Sequence, residues 1–505
     1  MKSFFLIFFL CCFNLVYSQH KLIKVNDSKN KPEEVSIAIN PVNPMQVAAA
    51  SNITNYYFST NGGRSWTEKT MKSVNGVWGD PMVHFDQQGN LYYSHLGKNP
   101  EKSFPLWIDK MVVQRINIKY DSCFADAAIG YNKNKVQDKE WLSTDKDGNA
   151  FLTWTEFDKY QSMNAEDHSR IRFSKSNDKA LTWSKPIIIS DVEGDCLDGD
   201  STMEGATSCS DSRGNIFVCW SGINKIYFDK SVDGGKSFGK DKIITNQVGG
   251  WEIPIPHIYR ANGMPFVLCD ATGSKFKDRI YVNWTDTRNG DADIFIKYSD
   301  DAGETWSDDI RVNDDLKGNG AHQYSNNFCI DAVTGNVYTL YYDKRNSRTG
   351  TFIDVYVAWS KDGGNSWENY RITPRPFAAP GKTVFFGDYI DIDAYNNTVM
   401  PFFTISEKNE FNVYTTRMNM ESAKDYHLPT DIQATILGDS LYIHLIIPSN
   451  KEYTLTVTTN GRKTIFNRKD SNSELEYMMP ARGFYEAKIQ LKYSGGKKKL
   501  KIRKG

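Results

Sequence analysis

Carboxyl groups and arginines recur at matching places along this chain, in patterns that could do chemistry together. Asp80, Asp138, Glu140, Glu204 and Asp388 open apolar, strand-like runs, with Gln323 in the same place. Glu156, Asp286 and Asp343 close other such runs, just after Trp154, Trp284 and Tyr342. Two of the closing acids lead into arginine, in Asp286-Thr287-Arg288 and Asp343-Lys344-Arg345. Carboxyls gathered round one opening suit glycosidic bond cleavage, one as general acid and another as base or nucleophile. Crowded like charges raise one pKa and keep an acid form available. Arg288 and Arg345 in the same opening would hold a carboxylate-bearing sugar through paired hydrogen bonds.

On this reading Glu204 and Asp388 are the acid/base candidates, with Tyr389, Asp80 and Glu140 as further catalytic candidates. Arg288, Arg345, Asp286, Asp343 and Tyr342 are the substrate-binding candidates. Gly387 before Asp388 would let another backbone approach closely. Trp141, Tyr342 and Tyr389 could each stack on a sugar face or simply fill core. Asp195, Asp198 and Asp200 set hard oxygen ligands at short spacing, as do Asp286, Asp291 and Asp293. Such spacing suits Ca²⁺, and an acidic surface loop is the plain alternative. No other cofactor is implied.

The elements that must position these residues are repeats. An eight-residue pattern, Ser/Thr-x-Asp-x-Gly-x-Ser/Thr-aromatic, stands at residues 59–66 (STNGGRSW), 176–183 (SNDKALTW), 231–238 (SVDGGKSF), 299–306 (SDDAGETW) and 360–367 (SKDGGNSW). It reads as a hairpin turn: the Asp caps its own backbone, the Gly takes a positive φ, and the aromatic residue buries its face beneath. Asn61 replaces the Asp in one copy and Ala180 the Gly in another. A second repeat is a Gly-Asn-like turn followed by an aromatic-rich strand, as at Gly89-Asn90, Gly148-Asn149, Gly214-Asn215 and Gly335-Asn336. With related turns near Asn43, Arg279 and Asn397 it makes seven units, about 45 to 66 residues apart, a period that belongs to a propeller or solenoid.

Each unit reads as strands A to D. In the second, A is 81–86, B is 91–96 and C is 111–120, and the C–D turn has lost its motif. The last unit lacks a D strand, and residues 21–25 could return to fill that place and close a ring. Strand direction puts the starts of A and the ends of B on one face, the top. Every eight-residue motif is a C–D turn and falls on the bottom, so its Asp is structural. The acids and arginines above share the top mouth.

On these motifs the chain resembles the Asp-box (BNR repeat), sialidase-like β-propellers, over roughly residues 30 to 420. The resemblance implies an all-β fold, a seven-bladed propeller with a six-bladed sialidase-like one as alternative. It also implies a site with three arginines on a substrate carboxylate, a Tyr–Glu nucleophile pair and an Asp acid/base. Arg288 and Arg345 would be two of the arginines and Arg260 the remaining candidate, while Glu204 with Tyr342 or Tyr389 would be the pair. The sequence departs from that pattern in having no Arg-Ile-Pro-type motif of the sialidase early blade.

The rest of the 505 residues frames this unit. Lys2 and an apolar run over residues 4–16 read as a secretory signal, cleaved near Gln19. The run is shorter than the roughly 20 residues of a membrane span. Six cysteines remain beyond it, at 123, 196, 209, 219, 269 and 329; export permits disulfides, and small buried hydrophobes are the alternative. Balanced charge, 61 basic against 61 acidic residues, gives no reason to expect nucleic acid as partner. Three segments follow: signal peptide 1–19, propeller 20–428, and a small C-terminal β-sandwich, 429–505. That last module resembles the C-terminal sorting domains of type IX secretion cargo, in Asn460-Gly461-Arg462, Gly483-Phe484-Tyr485 and the Lys-rich tail at 497–504. The resemblance implies the secretion machinery as a partner; a carbohydrate-binding or packing module is the alternative. The functional expectation is a secreted, sialidase-like enzyme, a glycoside hydrolase cleaving an anionic or complex glycan, with a non-catalytic glycan- or protein-binding propeller or a structural surface protein as the other classes.

Overall fold

A computed structural model describes residues 21–422, apart from 28, 31, 348 and 408–409, and seven strands within 431–503. The expected signal peptide, the segment 423–430, the turn at 460–461, residues 483–485 and Lys504 lie outside the described residues. The described chain is all-β, with one short 3-10 turn at Met420–Ser422. Among the described residues no helix is long and apolar enough to cross a membrane.

Up to residue 419 the strands form seven sheets, each built on a four-stranded antiparallel path. The innermost strands are Ser36–Ile39, Gly79–Phe85, Val136–Thr144, Glu204–Ser210, Phe266–Cys269, Gln323–Ile330 and Asp391–Tyr395. Each lies against the next, and the seventh lies against the first, which closes a ring around a central channel. The seam is stapled through side chains. Asp391 accepts the Ile37 N–H at 2.8 Å and the Ser36 hydroxyl at 2.9 Å, and Asp393 accepts the Ile39 N–H at 2.7 Å. The N-terminal strand Ile23–Lys24 pairs with Glu410–Thr415 and completes the seventh sheet from outside, as its sequence suggested.

The turns follow from their residue types. Asp86, Asp145 and Asp211 end inner strands and each closes the next turn; Asp145 accepts the N–H groups of Asp147 and Asn149, both at 2.9 Å. All five eight-residue motifs join the third strand of a sheet to the fourth. In the motif at 231–238 the Asp233 carboxylate accepts the N–H groups of Lys236 and Ser237 and both flanking serine hydroxyls. Ala180 takes the left-handed φ of 62° that glycine takes in the other copies. The Thr305 hydroxyl leads the bonds that hold the Asp301 carboxyl down to about 2. A carboxyl depressed on folding stabilises above its unfolded pKa and loses that contribution as pH falls, so these turns should weaken between about pH 4 and 2.

The motif aromatics depart from the sequence reading: Trp66, Trp183, Phe238, Trp306 and Trp367 are half-buried. Each is packed against a core cluster on one side and left partly exposed on the other. Trp306 packs edge-on against Phe228 at 5.1 Å. Trp306→Ala is therefore expected to lower unfolding free energy by about 2 kcal/mol, below the roughly 3–5 kcal/mol of a fully buried tryptophan, as read by chemical denaturation.

The six described cysteines are unpaired, and Cys196, Cys209, Cys219 and Cys329 are buried as small apolar side chains. Beyond residue 430 a three-stranded and a four-stranded sheet share one apolar core, which includes Leu441, Ile443, Leu455, Val457 and Ile489. This unit touches the ring where Tyr442 meets His257 at 5.3 Å and His444 meets Phe352 at 5.1 Å.

Candidate functional site

The inner strands do not begin straight. The second, third, fourth and sixth each start with a register shift, between Gly79 and Met82, Asp138 and Trp141, Glu204 and Thr207, and Tyr324 and Asn327. A bulge of this kind re-aims the side chain that carries it. Asp80 and Lys139 sit within two of these shifts and Glu34 lies just before the first inner strand, and all three hold φ near 51°. That left-handed conformation costs a non-glycine residue about 1–2 kcal/mol. The chain accepts it at three places to turn charged side chains into the mouth of the channel. Gly387 serves the same end differently: a Cβ there would lie 2.8 Å from the Glu34 backbone nitrogen, so only glycine lets the two segments meet.

These side chains line a cavity of about 260 Å³ at the top mouth. Its charged walls are Glu33, Glu34, Asp80, Asp138, Asp198, Asp388, Lys139 and Arg260. Lys139 Nζ is ion-paired to Asp388 Oδ2 and lies 3.9 Å from Asp80. Arg260 donates to Asp388 Oδ2 and to Asp198 Oδ2, both at 2.8 Å. The Tyr160 hydroxyl donates to Asp198 at 2.6 Å. Asn52 ties the remaining wall together, donating to Glu34 and accepting the Asp80 N–H at 2.6 Å.

The environment pushes the carboxyls in opposite directions. Burial raises Asp138 to about 7, Lys139 pulling it down and Asp80 up. Burial also raises Asp388, but Arg260 and Lys139 beside it outweigh that and hold it below the ordinary range. Glu34 is pushed well up by burial and then by Asp80. Lys139 stays charged: burial lowers its ammonium, and Asp388 and Asp138 more than restore it. Two carboxyls driven apart in one pocket are the usual arrangement of an acid with an ionised partner.

Several sequence candidates are here and several are not. Asp80 and Asp388 line the cavity. Glu140 and Glu204 are fully buried and do not line it; burial pushes both well up, helped by Asp80 and Asp198 respectively. Neither carboxyl makes a well-formed hydrogen bond, although the Glu140 backbone N–H and the Ser94 hydroxyl lie near enough to Glu140 to offset part of its rise. Tyr389 is buried and packs edge-on against Trp141 at 6.0 Å. Tyr342 is core, its hydroxyl donating to the Thr404 carbonyl at 2.8 Å. Neither tyrosine reaches the cavity lining.

The two arginines of the sequence reading need correction. Arg288 is held by Asp286 and Asp309 and stacks over Phe295 at 4.5 Å. Arg345 is held by Asp343 and Asp314 and stacks over Tyr356 at 4.3 Å. The Asp-x-Arg repeat is thus a local brace: the buried acid at the strand end takes the arginine two residues on, and an aromatic of the next strand covers it. None of these four residues lines the cavity. The calcium reading is also overturned. Asp195 accepts from Thr202, Asp198 from Arg260 and Tyr160, and Asp200 from the Glu252 N–H, so the three carboxyls diverge. Asp286, Asp291 and Asp293 are likewise spent on Arg288, on the N–H groups of Gly318 and Gly320, and on Arg311. Among the described residues no group of three ligating side chains could hold a metal ion.

Sequence reading missed Glu34, Lys139 and the aromatic wall, and left Arg260 as a remainder. Asp138-Lys139-Glu140, three consecutive charges inside an otherwise apolar inner strand, was the available signal for Lys139. The wall is Trp78, Phe104 and Tyr160. Trp107 backs it, 4.6 Å from Trp78 and 5.5 Å from Phe104. Phe104 is 54% exposed, a large apolar face left at the mouth.

No family model matches the chain, and no curated protein matches it. Solved structures do. A protein of unknown function from Dyadobacter fermentans DSM 18053 is 16% identical over 71% of this chain and 98% of its own, with a TM-score of 0.39. The GH93 α-L-arabinofuranosidase of Fusarium graminearum, seen with arabinobiose, is 12% identical over 80% of this chain and 99% of its own, with a TM-score of 0.44. The Hadza microbial sialidase Hz136 is 13% identical over 74% of this chain and 73% of its own, with a TM-score of 0.39. At these scores the likeness carries no argument about activity, which has to come from the mouth itself.

Proposed function

We propose that this protein is an exported, glycan-acting β-propeller that cleaves a glycosidic bond in its top mouth. We read the seven sheets as seven blades over residues 20–428 and the two C-terminal sheets as a small β-sandwich over 429–505. One observation carries the catalytic reading: Asp138 opens into a monosaccharide-sized cavity with its carboxyl at about 7, beside Asp388, which is held ionised. Asp138 would give its proton to the leaving oxygen, and Asp80 across the same cavity is the second carboxyl that glycoside cleavage needs. Asp388, clamped by Lys139 and Arg260, sets the local charge. Trp78, Phe104 and Tyr160 offer apolar faces to a sugar ring.

Charge argues against an anionic sugar. Both cations in the cavity already hold carboxylates, and Arg288 and Arg345 are committed elsewhere. Screening purified protein against aryl glycosides of neutral, amino and acidic sugars tests the proposal. Turnover that disappears in D138N supports it. Tight binding with no turnover of any glycoside would favour the non-catalytic binding propeller.

Export is part of the same reading. Mass spectrometry of secreted material should find a mature N-terminus near Gln19; an intact Met1 on secreted protein would overturn it. If the C-terminal module addresses the chain to secretion machinery, a chain shortened at residue 430 should stay inside the cell.

A further inference from the structure

The polar groups at the mouth are unevenly satisfied. Asp388 lines the cavity, is only 3% exposed, and its Oδ1 accepts no hydrogen bond. Glu140 and Glu204 lie beneath the lining, where burial keeps them toward their protonated forms and out of an occupant's reach. A buried polar atom without a partner is costly, so an occupant that donates to Asp388 Oδ1 is favoured. Charge points the same way. Six carboxyls and two cations line the cavity, and both cations are already paired. A ligand carboxylate would meet like charge, whereas a ligand ammonium would bring three donors and the missing positive charge.

We propose that the sugar held in this mouth carries a free protonated amine, so that the ligand is a glycan containing unacetylated hexosamine. The inference rests on the glycan reading above and names its substrate class. The ammonium belongs beside Asp388 and Asp138, with the sugar's apolar face against Trp78. Titration supports the placement. Asp138 faces Lys139, Asp80, Asp198, Arg260, Glu140, Glu204 and Tyr160, and with its carboxyl at about 7 it is largely protonated in slightly acid solution. An ammonium centred on Asp388 favours the ionised form of Asp138 without emptying it, so binding should release a fraction of a proton, affinity should rise as pH goes from about 5.5 to about 7, and turnover, which needs the remaining acid form, should fall over the same range.

Calorimetry of the full-length secreted protein tests this with three defined probes: the β-1,4-linked glucosamine disaccharide, its N-acetylated counterpart, and glucuronic acid. Titrations in two buffers of different ionisation enthalpy count the protons released. The free-amine disaccharide should bind at least about tenfold tighter than the acetylated one, the scale of one hydrogen bond to a charged group. It should release protons, and glucuronic acid should bind weakest. D138N should abolish the proton release; D80N, whose side chain is less enclosed, should reduce the amine preference if D138N does not fold. Equal affinity for the acetylated disaccharide, or binding with no proton release, overturns the inference. Amine-selective binding without cleavage would leave it standing while the hydrolase reading falls. Cleavage of neutral glycosides with no advantage for the amine would do the reverse.

Discussion

D138N is expected to lower turnover by about 10²–10⁴-fold, the range that a general acid or base contributes, while leaving the protein folded. Asparagine keeps the size of the side chain and an oxygen that can still accept the Lys139 N–H, a bond of 2.9 Å in the parent. What it removes is the proton. The parent's activity should change with pH around 7, the range to which burial raises Asp138, and that limb should vanish from the variant's residual activity. Stability gives an independent check of sign. A carboxyl whose pKa is raised on folding contributes stability below its unfolded pKa and loses it as pH climbs through the folded value. Relative to the parent, D138N should therefore gain stability between about pH 4 and about pH 7. Full turnover in D138N, with no change in pH profile, would remove Asp138 from the mechanism.

K139M is expected to cost about 3–5 kcal/mol of unfolding free energy, as removal of one partner of a buried ion pair does. Lys139 is 5% exposed and its partner Asp388 is 1% exposed at the side chain. Without the ammonium, Asp388 keeps Arg260 but faces Asp80 and Asp138 unscreened. Methionine matches the stem in length, so the loss reports charge rather than a cavity. The double variant K139M/D388N should recover much of the single variant's loss, because neither charge is then left alone. A second readout is chemical. Lys139 pulls Asp138 down, so in K139M the Asp138 carboxyl should titrate above its present value and the pH limb of activity should move upward. A loss under about 1 kcal/mol would mean that the pair is screened like a surface one.

The architecture was legible because repeats advertise themselves. Five turns with one residue pattern and seven Gly-Asn-like units demanded seven equivalent hairpins, and hairpin geometry assigned the motifs to one end and the acids to the other. Local chemistry was legible too: a Ser, an Asp and a Gly at fixed spacing close the same turn wherever they stand. Asp80 and Asp388 could be placed in the mouth from strand order alone. The sequence could not say which charges would meet across sheets, because that depends on contacts between residues far apart in the chain. Arg260 reaches Asp198 and Asp388 from a loop between the fourth and fifth sheets. Asp286 and Arg288, by contrast, are two residues apart and satisfy each other before any ligand could. Nor could residue types tell a cavity wall from its floor: Glu204 and Asp80 open equivalent strands, yet one is sealed beneath the lining and the other forms part of it. Sequence by itself determined the repeat, the turns and the end of the ring where acids gather. Tertiary structure alone decided which acids are ionised, which carboxylates each arginine holds, and where the aromatic wall stands, because burial and through-space charge are properties of the packed ring and not of any one strand.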